Sequence, residues 1–512
     1  MKASHMRKGM TLLVAAMLTV SLASCASSEK GNAGGNGKGD SSGLTLGMVG
    51  STTDKIDPYS QTGSGSQQAV FTNVYEGLTA RNKDGEVEYV LAEKIEPNAT
   101  NDEWIITLRD NVKLHNGEQF TSEDAVESLK QMIDPEYAWA FNTQLSFLQA
   151  DGLEIIDDLT FKMVLDEPFG PLPDVLAMDR LVMRSIKGDA TVDKPAGTGP
   201  YKIDTFTAGQ EAKLVKNEDY WGEPATLDSV TISFLSDQTA VTNAVRGGQI
   251  DVAHGIPFAE VPALEGTPGL DMLVSDTAAY PVVPMRMDMA PFDDERVREA
   301  MRLAIDRQRI VDNAYGGYAS VANDYIGQNT ACPAPDVPQR EQDLGKAKKL
   351  VEEAGATGAS VELVTDAAFP GMAEMAQLIA QDAEKIGITV QVKKLDVGTF
   401  LDRWLEWPFF IGHTSSPYII TAKGHFLPGG SENGSHMDDA EYNEIAEKLY
   451  ATSDPEEQCT YITQMQTIEH ERGGYLIPIY GQSITVHSER VKGLTADLYG
   501  RAAYQFAGVT VE

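Results

Sequence analysis

Alternating apolar and polar residues predict where strands and helices lie in the body of the chain. Residues 44–49 alternate as expected for a half-buried strand, which stops at Gly50. Near the middle of the chain, Asp343 can cap a helix whose apolar residues recur at helical spacing and whose end is marked by Gly355. A strand over residues 361–365 follows this helix. The chain therefore mixes helices and strands.

The same change of period continues directly afterwards. Residues 371–386 have the apolar spacing of a helix that ends at Gly387, and residues 388–392 predict another strand. Connections of only a few residues between helix and strand favour a crossover between parallel strands. We therefore predict an α/β protein with a mostly parallel sheet, and the sequence contains no internal repeat.

A further helix begins after Phe292, where Asp293 or Asp294 can serve as its cap. Its apolar stripe consists of Val297, Ala300, Met301 and Ala304. The arginines on its other faces are expected to meet water or acidic partners, and these are Arg296, Arg298 and Arg302. Asp306 can cap the next helix.

Composition and charge narrow the class of protein. The chain has 512 residues, of which 42% are hydrophobic, so it can bury a large core in roughly three domains. Its formal net charge of −35 excludes nucleic acid as a partner and argues equally against a polybasic grip on anionic lipid. With 3 cysteines it is not a small disulfide-dense scaffold. We infer a large, acidic, soluble protein with a packed core.

The N-terminus has the pattern of an export signal. Basic residues precede a short apolar run over residues 10–22, which is too short for a permanent membrane-spanning helix of about 20 residues. Residues 22–25 resemble a bacterial lipobox. We therefore predict that residues 1–24 are a signal peptide and that Cys25 carries a lipid anchor. The alternative is a plain secretory signal in which Cys25 is accidental.

The segment after the signal predicts a flexible connection. Residues 25–43 are rich in Gly and Ser and have no periodicity, which is typical of a tether. No other apolar run in the sequence approaches membrane-spanning length. The body is therefore expected on the extracytoplasmic side of the cell membrane, held there by the lipid on Cys25.

Six blocks of sequence, in order over more than 200 residues, resemble one known family. They are residues 74–78 with 91–93, 108–118 with 120–126, 197–201, 217–222, 248–252, and 291–298 with 304–307. The family is that of the solute-binding proteins of bacterial ABC importers of the peptide/nickel class, called family 5. Most residues of these blocks also have a structural explanation, such as an Asn-Gly turn at Asn116 and a helix start at Ser122.

The resemblance implies an α/β, two-lobed, periplasmic-binding-protein-like fold of the large peptide-binding type with an extra inserted subdomain. Lobe I is expected over residues 44–280 plus 483–512, and its inserted subdomain over about 76–184. Lobe II is expected over residues 285–480.

The same resemblance implies a mechanism of capture. Two chain crossings, near residues 281–286 and 480–485, would form a hinge on which the lobes close around a solute. The closed form would then dock on the permease subunits of the importer. Such binding needs neither catalytic residues nor a cofactor, so we expect a monomeric receptor that is not an enzyme.

The ligand depends on a segment of lobe II. In peptide receptors of this family, the segment that matches residues 404–418 carries an Asp that pairs with the peptide α-amino group. Here His413, Thr414, Ser415 and Ser416 stand in its place. They offer neutral hydrogen-bonding groups and no salt bridge. We expect an oligopeptide or peptide-like solute; the alternative is a non-peptide solute such as a metal chelate or a modified small molecule.

Six residues are predicted to line the cleft. On lobe II they are Trp407, His413, Thr414, Ser415 and Tyr418. Asp54, in the loop over residues 51–57, is the sixth, although a solvated turn explains it equally well. The neighbouring Phe409 and Ile411 fit a core strand better than a ligand contact.

Direct metal binding is not expected. The histidines near the predicted cleft are His413, His425 and His436, whose spacing gives no helical ligand pair and which have no cysteine beside them. Cys332 and Cys459 remain after Cys25, and in an exported protein such a pair favours a disulfide over two separate buried thiols.

A surface hydrolase is the least favoured function. Residues 39–43 match the pattern of a hydrolase nucleophile turn, but they lie in the predicted tether without a strand or helix beside them. The sequence has no HExxH motif, no phosphate-binding loop and no zinc-type cysteine pair.

Overall fold

The computed structural model describes residues 42–59, 65–134, 145–277, 279–327, 332–366, 370–396, 399–400, 402–403, 405–496 and 505–512. The predicted signal peptide, Cys25 and nearly all of the predicted tether lie outside the described residues, as does Trp404. No helix in the described part of the chain has both the length and the apolar character that crossing a membrane requires.

Short strands make up most of the sheet structure. In chain order they are β1 (Gly43–Val49), β2 (Glu76–Gly77), β3 (Thr79–Arg81), β4 (Val87–Tyr89), β5 (Ala92–Pro97), β6 (Glu103–Leu108), β7 (Leu148–Asp157), β8 (Thr160–Leu165), β9 (Val182–Met183), β10 (Tyr201–Thr207), β11 (Glu211–Lys216), β12 (Ser229–Leu235), β13 (Val252–His254), β14 (Leu270–Asp276), β15 (Tyr280–Pro284), β16 (Ala319–Val321), β17 (Ser360–Thr365), β18 (Thr389–Lys394), β19 (Gly412–Thr414), β20 (Tyr475–Leu476), β21 (Ile479–Ser488), β22 (Val491–Lys492) and β23 (Thr510–Val511).

The helices are concentrated in the second half of the chain. They are α1 (Gly65–Val74), α2 (Ser122–Met132), α3 (Leu172–Leu176), α4 (Gln238–Arg246), α5 (Glu295–Ala304), α6 (Arg307–Ala314), α7 (Leu344–Glu353), α8 (Met372–Lys385), α9 (Tyr418–His425), α10 (Ala440–Ala451) and α11 (Pro455–Arg472), with a 3₁₀ helix over Phe258–Ala263.

The predicted helix starts are confirmed by their caps. Asp294, Asp306 and Asp343 precede α5, α6 and α7, and each carboxylate accepts a hydrogen bond from a backbone N–H of the first turn at 2.8–3.0 Å. These bonds satisfy N–H groups that a helix start otherwise leaves unpaired. Gly355 and Gly387, which follow α7 and α8, have φ of 67° and 87°, a conformation that favours glycine.

The predicted crossover in the second half of the chain is also confirmed. Strand β17 lies parallel to β18, with Ser360 opposite Thr389, and α8 connects the two strands. The residues Phe409 and Ile411, which the sequence assigns to a core, are fully buried.

The prediction of a mostly parallel sheet holds for the pair β17 and β18, from which it was drawn, and is wrong for the largest sheet. The eight-stranded sheet has the order β10-β11-β12-β1-β13-β21-β14, with β16 paired to β21. Within its described pairs, β1 is parallel to β12 and β13, and the others are antiparallel. The reason is long-range pairing, such as Val252 opposite His487, which a local alternation of helix and strand does not reveal.

A second, antiparallel sheet forms the core of the predicted inserted subdomain. Its order is β5-β6-β8-β7, and alternate residues such as Trp104, Ile106 and Phe161 are buried. One buried apolar cluster runs from these residues into helices α9, α10 and α11. The predicted inserted subdomain therefore packs against part of predicted lobe II, and the lobe boundaries themselves stay predictions.

Buried arginines surround the C-terminal end of α11. The Arg302 guanidinium donates to the carbonyls of Gly473 and Glu471, and Arg298 donates to the Arg472 carbonyl at 3.4 Å. A helix leaves its last carbonyls without partners, and cations are favourable at that end of its dipole. Arg298 and Arg302 are at most 4% exposed, so the prediction that they meet water or acidic partners is wrong.

Two further contacts tie other segments to α11. Arg340 donates to the His470 carbonyl, and Arg340 and Arg307 share the buried carboxylate of Asp324. A disulfide joins Cys332 to Cys459, which lies in the first turns of α11, with a Cα–Cα distance of 5.1 Å.

Replacing Arg302 by Met should destabilise the protein strongly. The carbonyls of Gly473 and Glu471 would lose their donors in a buried place, which costs about 3 kcal/mol of unfolding free energy. Urea unfolding measures this loss. The control is Arg296→Met, because Arg296 is half exposed and pairs with Asp294 on the surface, where the loss should be below about 1 kcal/mol. Equal losses in the two variants would contradict the role given to Arg302.

Candidate functional site

The predicted ligand segment lies beside the first predicted chain crossing. Strand β19 pairs antiparallel with β15, and the register places Thr414 opposite Tyr280 and His413 opposite Pro281. The other end of β15 pairs with β20, which leads directly into β21 and the second predicted crossing. The segment after β19 is therefore held next to both crossings.

The Tyr418 side chain is held in place by the buried carboxylate of Glu469. The Tyr418 and Tyr442 hydroxyls donate to Glu469 Oε1 at 2.7 and 2.9 Å, and the Ile326 N–H donates to Oε2 at 2.9 Å. Burial raises the pKa of Glu469 to about 8, although the donated hydrogen bonds oppose this shift. Tyr418 is 2% exposed, so its ring packs in the protein interior.

Trp407 also lies in packing. Its side chain is 5% exposed and contacts the buried cluster that contains Phe400 and Phe410. The indole N–H donates to the Phe400 carbonyl at 3.2 Å, and the Arg403 guanidinium lies 4.1 Å from the ring centroid. The indole N–H and one face of the Trp407 ring therefore both contact other parts of the protein.

The remaining predicted residues differ in exposure. Ser415 is exposed, His413 is partly exposed and Thr414 is buried. Burial lowers the pKa of His413 to about 4, so the imidazole is neutral near pH 7. Asp54 is 4% exposed in the loop after β1, where its carboxylate accepts from Ser66 Oγ at 2.6 Å. Ligand contact by these residues stays a prediction.

A cavity opens between the predicted inserted subdomain and the residues that follow the predicted ligand segment. Its volume is about 230 Å³. One wall comes from the inserted subdomain, with Ser146, Phe169 and Val175, and the other from Ser416, residues 419–421, Lys423, Gly424 and residues 427–432. We call it the interface cavity.

The wall of the interface cavity combines apolar residues with hydroxyl groups and one charge of each sign. Lys423 has its ammonium 3.3 Å from Glu167 Oε1, on the exposed rim. The Glu432 carboxylate lies 3.1 Å from His425 Nδ1, and its side chain is 48% exposed, so the cavity is open to water there. Ile419, Ile420 and Leu427 supply the apolar surface. Such a mixed, concave wall can hold a small amphipathic solute.

The predicted loop after β1 lines a different cavity. Lys55, Ile56 and Asp57 form part of the wall of a cavity of about 1010 Å³ that otherwise belongs to predicted lobe I. Asp57 pairs with Arg184 at 3.0 Å, both side chains being buried, so part of this wall is fixed by a buried ion pair.

The histidines of the region have separate partners. His425 contacts Glu432, whereas His436 contacts Asp288, also at 3.1 Å. Within the described residues, no three His, Cys, Asp or Glu side chains come together in a way that could hold a metal ion.

Sequence reasoning missed the wall that the inserted subdomain contributes. Phe169 and Val175 lie more than 240 residues before Ser416, and no pattern in the sequence joins them. Lys423 follows the predicted segment directly, but its position on α9 shows only in the structure. Glu469 carries no local signal either, because an acidic residue within a helix is usually a solvated one.

A family model covers the middle of the chain. The family described as bacterial extracellular solute-binding proteins, family 5 Middle, matches residues 86–419, which is more than half of the chain. A glutathione-binding protein, GsiB of Salmonella paratyphi A, is 29% identical over 359 residues, or 68% of this chain and 69% of that protein.

Two solved structures share the fold. The periplasmic binding protein DppA of Helicobacter pylori, in complex with the peptide STSA, has a TM-score of 0.74 at 23% identity, over 92% of this chain and 98% of that chain. NikZ of Campylobacter jejuni, in complex with Ni(L-His), has a TM-score of 0.75 at 20% identity, over 92% and 99%. The two-lobed fold expected from the resemblance is thereby confirmed. The chain belongs to the family 5 bacterial extracellular solute-binding proteins, which are the substrate-binding components of ABC importers and are not enzymes.

Proposed function

We propose that this chain is a lipid-anchored extracytoplasmic receptor that captures an oligopeptide or peptide-like solute and delivers it to the permease of an ABC importer. The observation that carries the proposal is the interface cavity, because one of its walls comes from the predicted inserted subdomain and the other from Ser416 and the lobe II residues that follow the predicted ligand segment. A solute in this place would contact both lobes, as closure on a ligand requires.

The chemistry of the wall supports a peptide-like solute. The apolar surface suits a hydrophobic side chain, while Lys423 and Glu432 suit a solute that carries both a carboxylate and an amine. The neutral residues at His413 to Ser416 make a salt bridge to a free α-amino group in that segment impossible. A modified or unusually linked peptide fits this combination best, and relatives that bind glutathione agree with it.

A non-peptide solute is the second candidate. NikZ, with the same fold, holds Ni(L-His). Within the described residues of this chain, no side-chain group suits a bare metal ion, so a metal would have to arrive inside its own chelate. We further propose that the protein acts as a monomer. The six predicted ligand-lining residues, Trp407, His413, Thr414, Ser415, Tyr418 and Asp54, do not line the interface cavity; in the proposal Trp407 and Tyr418 act mainly by positioning their neighbours.

Native mass spectrometry of residues 44–512, before and after mild unfolding, should release a co-purified solute. Peptides or a peptide-like molecule would support the first candidate, and one non-peptide molecule or a chelate would support the second. The variant Ser416→Trp fills the cavity wall and should lower the occupancy at least about tenfold, since a filled pocket loses its contacts with the solute. Ser360→Trp, on an exposed strand position, should leave occupancy unchanged. Equal occupancy in both variants would place the solute elsewhere.

The lipid anchor is tested by Cys25→Ser. Without the thiol no lipid can be attached, so the protein should move from the membrane fraction to the soluble extracytoplasmic fraction. Metabolic labelling with a fatty-acid analogue should mark the wild type and not the variant. An unlabelled wild type would contradict the anchor.

Glu469→Gln should change how stability depends on pH. The pKa of Glu469 is raised in the folded state, to about 8. The folded protein therefore keeps this proton at pH values where the unfolded chain has lost it, and the free energy of unfolding falls as pH rises from the ordinary carboxyl range to about 8. The wild type should therefore lose unfolding free energy between pH 6 and pH 9, by a few kcal/mol more than the variant does. Urea unfolding at these pH values measures it, with the exposed Glu471→Gln as control. The same pH slope in all three proteins would show that Glu469 does not titrate there.

A further inference from the structure

Two backbone carbonyls at the end of α10 are held by residues of the predicted inserted subdomain. The Gly170 N–H donates to the Tyr450 carbonyl at 2.7 Å. Asn101 Nδ2 donates to the Ala451 carbonyl, also at 2.7 Å. Both hydrogen bonds therefore cross from the predicted inserted subdomain to predicted lobe II, at the edge of the interface cavity.

Gly170 lies where two backbones approach too closely for a side chain. A Cβ atom at this position would overlap the carbonyl group of Thr452 and lie 2.7 Å from the Ser453 nitrogen. The φ of Gly170 is outside the left-handed region, so its own conformation would accept alanine. Only the contact with Thr452 requires glycine here.

Aromatic rings close around a lysine beside these hydrogen bonds. Phe169 stacks on Phe147 with ring centroids 4.3 Å apart and on Tyr450 at 5.7 Å. The Lys423 ammonium lies 5.3 to 5.8 Å from the centroids of all three rings, and 3.3 Å from Glu167 Oε1. A cation at this distance from ring faces is attracted by them.

We propose that these contacts form a clasp that closes the two lobes on one another without a solute. The clasp consists of Asn101, Phe147, Glu167, Phe169 and Gly170 on one side, and Lys423, Tyr450, Ala451 and Thr452 on the other. All of its hydrogen bonds and ring contacts join atoms of the chain itself, so closure does not wait for a ligand. The unliganded receptor then samples the closed form to a substantial extent, and a solute adds its own preference for that form.

The clasp combines segment ends and an exposed ion pair with buried aromatic rings. Phe169 and Gly170 lie in the connection between β8 and α3, and Tyr450 and Ala451 end α10, so segment ends meet here. The Lys423 and Glu167 side chains are 36% and 61% exposed, and exposed ion pairs contribute little individually. Phe147 and Phe169 are each 2% exposed and belong to the buried apolar cluster that both sides share, so separation of the lobes exposes these rings to water.

The clasp rests on the proposed function because Phe169 and Lys423 also line the interface cavity. A solute that fills the cavity would touch two clasp residues, which couples capture to closure. The clasp itself can nevertheless be measured in solute-free protein, so its failure and the failure of solute binding are separate results.

Hydrogen exchange of the mature chain, stripped of solute, tests the clasp. In the wild type the Gly170 amide should be protected, and in Gly170→Ala the added Cβ should separate the segments and speed its exchange at least about tenfold. X-ray scattering should show a larger radius of gyration for the variant. Gly508→Ala is the control, because Gly508 has open space around it and a backbone that accepts alanine. It should behave as the wild type.

A second pair of variants guards against misfolding of Gly170→Ala. Lys423→Met removes the cation and should speed exchange at Gly170 several-fold, whereas Lys423→Arg keeps a cation for the rings and should retain protection. An unprotected Gly170 amide in solute-free wild type would overturn the proposal. So would full protection in a folded Gly170→Ala protein, or equal protection in the Met and Arg variants, since the junction would then not depend on the contacts of the clasp.

Discussion

At the end of helix α11, buried guanidinium groups bind the carbonyls that a helix leaves without partners. Arg298 and Arg302 come from α5 and Arg340 from the segment before α7, so one helix end fixes two other parts of the chain. Burying cations is costly unless each is hydrogen-bonded, and here backbone carbonyls and Asp324 supply the partners. One residue before His470, Glu469 accepts from Tyr418. Tyr418, at the end of the predicted ligand segment, is therefore connected to this helix end.

The sequence predicts the fold well where the determinants are local. Capping by Asp294, Asp306 and Asp343 depends on an acceptor and an N–H a few residues apart, and the β17–α8–β18 crossover depends on short connections. The sequence does not predict the relative direction of the strands in the large sheet, because β13 pairs with β21, which lies more than 200 residues later in the chain. The burial of Arg302 is hidden for the same reason: its carbonyl partners belong to a helix more than 150 residues later.

The candidate site shows the same difference between residues with a local sequence signal and residues whose role depends on long-range packing. The neutral run at His413 to Ser416 is readable because a family pattern shows what stands there in other proteins, and the structure holds this run beside both predicted crossings. An aromatic residue such as Trp407 suits a ligand stack and a core equally in sequence, and only packing against Phe400 and Phe410 distinguishes them. Phe169 and Gly170 carry no sequence signal of a site, because their partner segment becomes adjacent only through folding.

Where closure draws on contacts within the chain, the solute no longer has to supply all the free energy of closing. A receptor whose lobes meet by their own contacts can bind with neutral groups, since less of the solute's interaction energy is consumed by the conformational change. The absence of an acidic residue at His413 to Ser416 is then compatible with tight capture. Selectivity between solutes then depends on the shape of the interface cavity and on its two charged residues, Lys423 and Glu432. Lys423 serves both purposes, because its ammonium lies over the aromatic rings of the clasp and the residue also lines the cavity.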